Sequence, residues 1–359
     1  MELVHGVDVS VYEPQVNWRV LRTQGFRFAL IRATSSINYV DPKFIEHWAG
    51  AREAGILRGA YHYLFGGQDA KKQADSFIAT VGADKGELPP IVDLEDKFNE
   101  DVSNKKLIAT CKAFLDIIED EFGRTPMIYS RKTYLEPRLT INGKAPGWAK
   151  DYELWIAQYP FEFNPNSMPN VNMPKQPEGW KDWKFWQYSE SAIVDGVTDE
   201  INRATRVDLN WFRGAEAELY QFANVQPVEE KTYTVKDGDT FHSIAESHML
   251  SLTELLDANP SLLEVGTILR IPGLVSISTP TGGTGTGTGT STQPTGTSVG
   301  STEESTIGTT GTKTHTVKVG DTLTSIALKY RITVDAIVSI NPQITNRNII
   351  FEGQEIKIP

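Results

Sequence analysis

Asp93 and Glu95 stand two residues apart in Pro90-Ile-Val-Asp-Leu-Glu95, an apolar run with strand character. On a strand, positions i and i+2 point to one face with Cα atoms roughly 6.6 Å apart. Two carboxylates at that range oppose each other's ionisation, so one keeps its proton near neutral pH. A protonated carboxyl beside an ionised one is suited to breaking a glycosidic bond: the acid protonates the leaving oxygen while its neighbour steadies the positive charge at the sugar carbon. The tripeptide alone is weak evidence, because a chain of 359 residues contains roughly one Asp-x-Glu by chance. A second, Asp151-Tyr152-Glu153, comes before its apolar run instead of ending it.

The elements that must hold such a pair are legible as eight short apolar runs, at 6–10, 28–33, 59–64, 90–95, 127–130, 154–158, 185–188 and 206–209. Stretches with apolar residues three and four apart lie between them, at 42–54, 70–81 and 104–122, and read as helices. Alternating strand and helix predicts a parallel α/β structure, and eight strands in about 200 residues predict a barrel, irregular where the later connections lack good helices. Barrel chemistry gathers at the C-terminal ends of strands. Asp8, Asp93, Glu95 and Asp208 lie at or near such ends, whereas Asp151 and Glu153 lie at the opposite end and are set aside. Two of the four have plainer readings: Asp8 as a maker of turn hydrogen bonds, Asp208 as the N-cap of a helix over 209–219. Tyr61, Tyr63, Tyr129, Trp155, Trp186 and Tyr188 fall on or beside strand ends as candidate platforms for sugar rings. Because neighbours on a strand alternate sides, only some can face a cleft, and Tyr61, Tyr63 and Tyr129 are favoured. His62 has no second ligand at metal-like spacing and reads as a packed barrel residue. Neither a metal nor another cofactor is expected.

Taken in order, Gly6-Val-Asp-Val-Ser10, Ala60-Tyr-His-Tyr63, Pro90-Ile-Val-Asp-Leu-Glu95, Trp186-Gln-Tyr-Ser189 and Val207-Asp-Leu-Asn210 resemble glycoside hydrolase family 25, the N-acetylmuramidase type of lysozyme found in phage endolysins and bacterial autolysins. The resemblance spans residues 1 to about 213. It implies a flattened, irregular β/α barrel that cuts the β-1,4 bond between N-acetylmuramic acid and N-acetylglucosamine. By position, it makes Glu95 the general acid and Asp93 the residue that assists the substrate's own N-acetyl group, with retention of configuration. Asp8 and Asp208 match the remaining acids of the family's cleft. The Pro- and Asn-rich segment 161–181 departs from a minimal family pattern and is expected to wall the cleft.

The C-terminal part contains an internal repeat. Residues 232–260 and 314–342 are identical at 12 of 29 paired positions, sharing Thr-Val-Lys-x-Gly-Asp-Thr, Ser-Ile-Ala and Asn-Pro. Each copy reads as strand, turn with a helix N-cap, two helices and a closing strand that ends in Ile-Pro. These units resemble LysM domains, small βααβ modules that bind N-acetylglucosamine-containing glycan. The expected organisation is a muramidase domain over 1–220, a short linker over 221–231, LysM units over 232–272 and 314–359, and a Gly/Thr/Ser-rich linker over 273–313. That long linker has a reach of roughly 35 Å and should let its neighbours move nearly independently.

Composition narrows the partners. A net charge of −11 with no Lys/Arg run argues against nucleic acid. The single cysteine, Cys111, argues against a disulfide framework and reads as a packed thiol. No stretch approaches the roughly 18 apolar residues of a membrane span, and the start of the chain lacks the pattern of a signal peptide. The expectation is a monomer that folds in the cytosol and acts on peptidoglycan of the bacterial wall, reaching it after holin-mediated release or host lysis. Two other readings share these features: a chitinase or other N-acetylhexosaminidase targeted by LysM units, and a glycan-binding protein with an inactive barrel.

Overall fold

The computed structural model describes residues 2–159, 173–226, 231–248, 255–256, 259, 268–271, 313–318, 321–330, 332–344, 347 and 349–359. The eight expected strands are all present: β1 Leu3–Val9, β2 Phe28–Ser35, β3 Leu57–Tyr63, β4 Ile91–Asp93, β5 Met127–Arg131, β6 Glu153–Ala157, β7 Phe185–Thr198 and β8 Ala204–Arg213. From β1 to β7 each strand pairs in parallel with the next. β8 is antiparallel to both β7 and β1, and it closes the barrel.

The reversal of β8 corrects two expectations. A parallel crossover needs a dozen or more residues, but only a tight turn separates β7 from β8. Asp199 Oδ1 organises that turn by accepting from the Ile201 and Arg203 amides, and Asn202 takes the left-handed conformation at φ 59°. Residues 209–213 therefore belong to β8, not to a helix, and Asp208 caps nothing. Nor does Asp208 end its strand. It reaches the same rim as Asp8 because β8 runs backwards, which sets Asp208 directly opposite Asp8 in the register.

The expected helices form α2 Phe44–Glu53, α3 Ala70–Val81 and α4 Asn104–Phe122, joined by the shorter α1 Trp18–Thr23 and α5 Lys132–Arg138. Local chemistry sets their ends. Asp69 caps α3 by accepting from the Lys72 amide, Ser103 caps α4 through the Lys106 amide, and Gly123 at φ 64° stops α4 with a left-handed residue. Period-two alternation divides the apolar residues into two cores. Val4, Phe28, Leu57, Ile91, Met127, Trp155, Phe185 and Phe212 fill the barrel, while Val7, Ile31, Ala60, Val92, Ile128, Leu154, Trp186 and Leu209 face outward into the layer under the helices. A last helix, α6 Glu216–Ala223, packs Leu219, Tyr220 and Ala223 into the inner core. Its contacts with β1, together with Val4 and Phe212 in the same cluster, place it at the lower end of the barrel. The upper end is left for chemistry.

Each C-terminal repeat has its outer strands paired antiparallel: β9 Lys231–Thr234 with β10 Ile268–Ile271, and β11 Lys313–Thr316 with β13 Glu355–Ile358. The first carries α7 Phe241–Ser247; the second carries α8 Leu323–Tyr330 and α9 Val334–Ile340. The shared Gly-Asp-Thr acts alike in both. Asp239 Oδ2 accepts from the Lys236 amide and Asp321 Oδ2 from the Lys318 amide, while Thr240 and Thr322 cap the helices through the amides of Ser243 and Ser325. Asn341 of the Asn-Pro pair ties the end of α9 to β13 by exchanging hydrogen bonds with the Lys357 backbone.

The second repeat does not stand apart from the barrel. A strand absent from the sequence reading, β12 Ile349–Phe351, pairs antiparallel with the outer part of β7, Phe351 opposite Ala192 and Ile349 opposite Val194. Apolar side chains on both partners favour this contact.

Candidate active site

A cleft of about 1110 Å³ opens over the strand ends, and Asp8, Asp93, Glu95 and Asp208 all line it. β4 proper ends at Asp93, but the Leu94 amide still donates to the Tyr129 carbonyl, so the strand geometry continues to Glu95. Leu94 turns into the outer core and the two acids on either side of it turn to the cleft. Asp151 and Glu153 lie at the start of β6, level with the start of β5, away from this rim.

Two amide side chains knit the acids together. Gln187 Nε2 donates to Asp8 Oδ2 at 2.9 Å and to Asp208 Oδ2 at 3.0 Å, and Asn210 Nδ2 donates to Asp8 Oδ2 at 2.6 Å. Gln187 is oriented in turn by the Tyr129 and Tyr159 hydroxyls, which donate to its Oε1 at 2.8 and 2.7 Å. Asn210 is oriented by the Trp155 indole N–H at 2.7 Å. Since each amide's oxygen is engaged by O–H or N–H donors, its NH₂ is left to face the carboxylates. Asp93 differs: its buried Oδ1 has no hydrogen-bond partner among the described residues. Glu95 is the more open of the pair and has Arg131 Nη2 3.7 Å from Oε2.

Burial is the main reason that these acids hold protons unusually well. It lifts Asp8 to about 6, against the hydrogen bonds from Asn210 and Gln187, with Glu95 adding repulsion. Asp93 goes well above the ordinary range, by burial and then by repulsion from Glu95. Asp208 does likewise, by burial and then Asp8. Glu95 is also raised by burial, partly offset by Arg131. Glu13, on the cleft wall, is lifted by burial to about 7 although the Ser10 amide donates to it.

Of the six aromatic candidates, Tyr61, Tyr63, Tyr129 and Trp155 face inward and line the cleft, and Tyr188 borders it from an outward position of its strand. Tyr61, Tyr129 and Trp155 are buried in its floor, leaving Tyr63 the most accessible of the four. Trp186 and Tyr188 are buried. They occupy outward positions of β7; Trp186 donates to the Gln158 carbonyl, and the Tyr188 ring stacks on Trp211 with centroids 4.0 Å apart. Alternation from Phe185, a core residue, would have assigned both correctly and would have pointed to Gln187. Exposed aromatic side chains on the cleft were missed. Phe98 stacks on Phe65 at 4.8 Å, and Tyr12 and Tyr39 flank the guanidinium of Arg32. Phe98 holds φ 69°, a strained conformation for a bulky residue. No sequence pattern marks these positions. Of the expected wall over 161–181, residues 161–172 lie outside the described residues, and none of 173–181 lines the cleft.

A closed β/α barrel with carboxylates gathered at its open rim is the build of a barrel glycosidase. The chain belongs to glycosyl hydrolases family 25, whose family model matches residues 7–197, and LysM domain models match 233–272 and 315–359. It is a glycoside hydrolase of a lysozyme family. Lysozyme M1 of Streptomyces globisporus is 30% identical over 229 residues, covering 62% of this chain and 71% of the relative. The N,O-diacetylmuramidase of a Chalaropsis species is 30% identical over 210 residues, covering 55% and 94%. The crystal structure of a bacterial lysozyme from Streptomyces coelicolor superposes with a TM-score of 0.53 at 29% identity, covering 62% of this chain and 97% of that one.

Proposed function

We propose that the chain hydrolyses the β-1,4 bond of peptidoglycan on the reducing side of N-acetylmuramic acid, while its LysM units hold wall glycan. The carrying observation is the pairing of Asp93, with a buried oxygen that lacks a partner, and Glu95, in one cleft. Glu95 carries the proton and delivers it to the leaving glycosidic oxygen; Arg131 then stabilises the carboxylate that remains. Asp93 accepts the N–H of the substrate's 2-acetamido group and turns its carbonyl oxygen toward C1, forming an oxazolinium-like ring. Water opens that ring with the Glu95 carboxylate as base, so configuration is retained. Asp8 and Asp208, held by Gln187 and Asn210, present carboxyl oxygens toward the developing positive charge.

Substrate-assisted chemistry alone does not separate a muramidase from a chitinase. Parallel digests of purified peptidoglycan and chitin do. The proposal predicts soluble glycan from peptidoglycan and little from chitin; comparable release from chitin would contradict it.

A further inference from the structure

The second LysM unit meets the barrel through a surface as buried as a protein interior. β12 lies between two cores, and its alternation serves both. Ile349 and Phe351 enter the outer core of the barrel, whereas Ile350 packs with Ile326, Ile337 and Ile356 of its own unit and with Ile193 and Ala204 of the β7–β8 hairpin. Ile350 is 2% exposed and Ile193 1% exposed, so the contact is dry. The turn that follows β12 brings Glu352 and Gly353 onto the cleft wall, where Glu352 forms an ion pair with Arg206. Arg206 lies two residues before Asp208 on β8, and both line the cleft.

We propose that this LysM unit is a fixed wall of the catalytic cleft and that Arg206 with the Glu352-Gly353 turn forms a distal contact for the glycan strand. The ligand class is a β-1,4-linked N-acetylated polysaccharide long enough to extend from Asp93 and Glu95 past Asp208. The inference rests on the proposed function for the ligand's identity, but the docking itself is independent of it. A docked wall holds a long strand in register with the scissile bond, and a tethered free module would raise only local concentration.

Val194→Cys with Ile349→Cys tests the docking, since these residues oppose each other across the strand pair and Cys111 is buried out of reach. In the full chain, mild oxidation should form an intramolecular disulfide rapidly, and the locked protein should still cleave long soluble glycan strands. Absence of that disulfide would overturn the docking whether or not the wild type is a muramidase. Cleavage that stops on locking and returns on reduction would overturn the wall, because the docked unit would then be covering the cleft. Ile350→Asp supplies the opposite case: small-angle scattering should report a more expanded chain, with KM for long strands raised about tenfold and cleavage of short fragments unchanged. An expanded Ile350→Asp chain with wild-type KM on long strands would contradict the distal contact. If that variant unfolds the LysM unit, Glu352→Arg places like charges across the contact and should expand the chain in scattering, and Arg206→Glu in the same chain should restore the compact form; a double variant that stays expanded would contradict the docking.

Discussion

Gln187 joins two buried acids to two tyrosines, so a single amide positions both acids. Gln187→Glu would add a carboxylate facing Asp8 and Asp208. Both should then hold protons more tightly, and activity measured across pH should move to higher pH with kcat reduced by about 10–100-fold. The acid cluster also costs stability. Asp8 titrates near 3.8 when unfolded and at about 6 when folded, so the cost is absent below 3.8, grows between 3.8 and 6, and is complete above 6. That displacement corresponds to about 3 kcal/mol. Asp8→Asn keeps an oxygen to accept from Gln187 and Asn210 while removing the charge. Thermal melts should therefore show a gain of about 1–3 kcal/mol at pH 7 that disappears at pH 4, together with lost activity. A destabilised variant at pH 7 would argue that hydrogen bonding outweighs desolvation there.

At the scale of elements, most of the site was legible because strand alternation is a strict geometric rule and Asp93 and Glu95 obey it. It failed where direction was assumed: eight apolar runs do not reveal that β8 is reversed, and only the tight Asp199–Arg203 turn requires it. Asp208 was found for the wrong reason, since the register with Asp8, not a strand end, places it. Trp186 and Tyr188 pack in the outer core, a placement that side parity counted from Phe185 makes legible. Packing beneath the site makes its own prediction. Gly6 sits on β1 two residues before Asp8, and a Cβ there would lie 2.4 Å from the Phe28 ring, which fills the barrel. Gly6→Ala should cost about 1–3 kcal/mol in urea unfolding and displace Asp8. A neutral substitution would mean that the ring has room to move.

For the whole molecule, composition and repeats showed the number of folded units but not their arrangement. The contact is encoded in single residues, Ile193, Ile349 and Phe351, that look ordinary in sequence. Because Ile349 and Phe351 complete the outer core of the barrel, ending the chain at residue 226 should lower the barrel's melting midpoint by about 5–10 °C. An unchanged midpoint would place that apolar surface outside the cooperative unit.

The measurement closest to the central claim is the identity of the sugar exposed by cleavage. Purified peptidoglycan is digested, reduced with borohydride and analysed by mass spectrometry. The account predicts reduced muramic acid at every new end, and a loss of about 10²–10⁴-fold in Glu95→Gln with wall binding retained. Reduced glucosamine at the new ends, or undiminished release by Glu95→Gln, would contradict it.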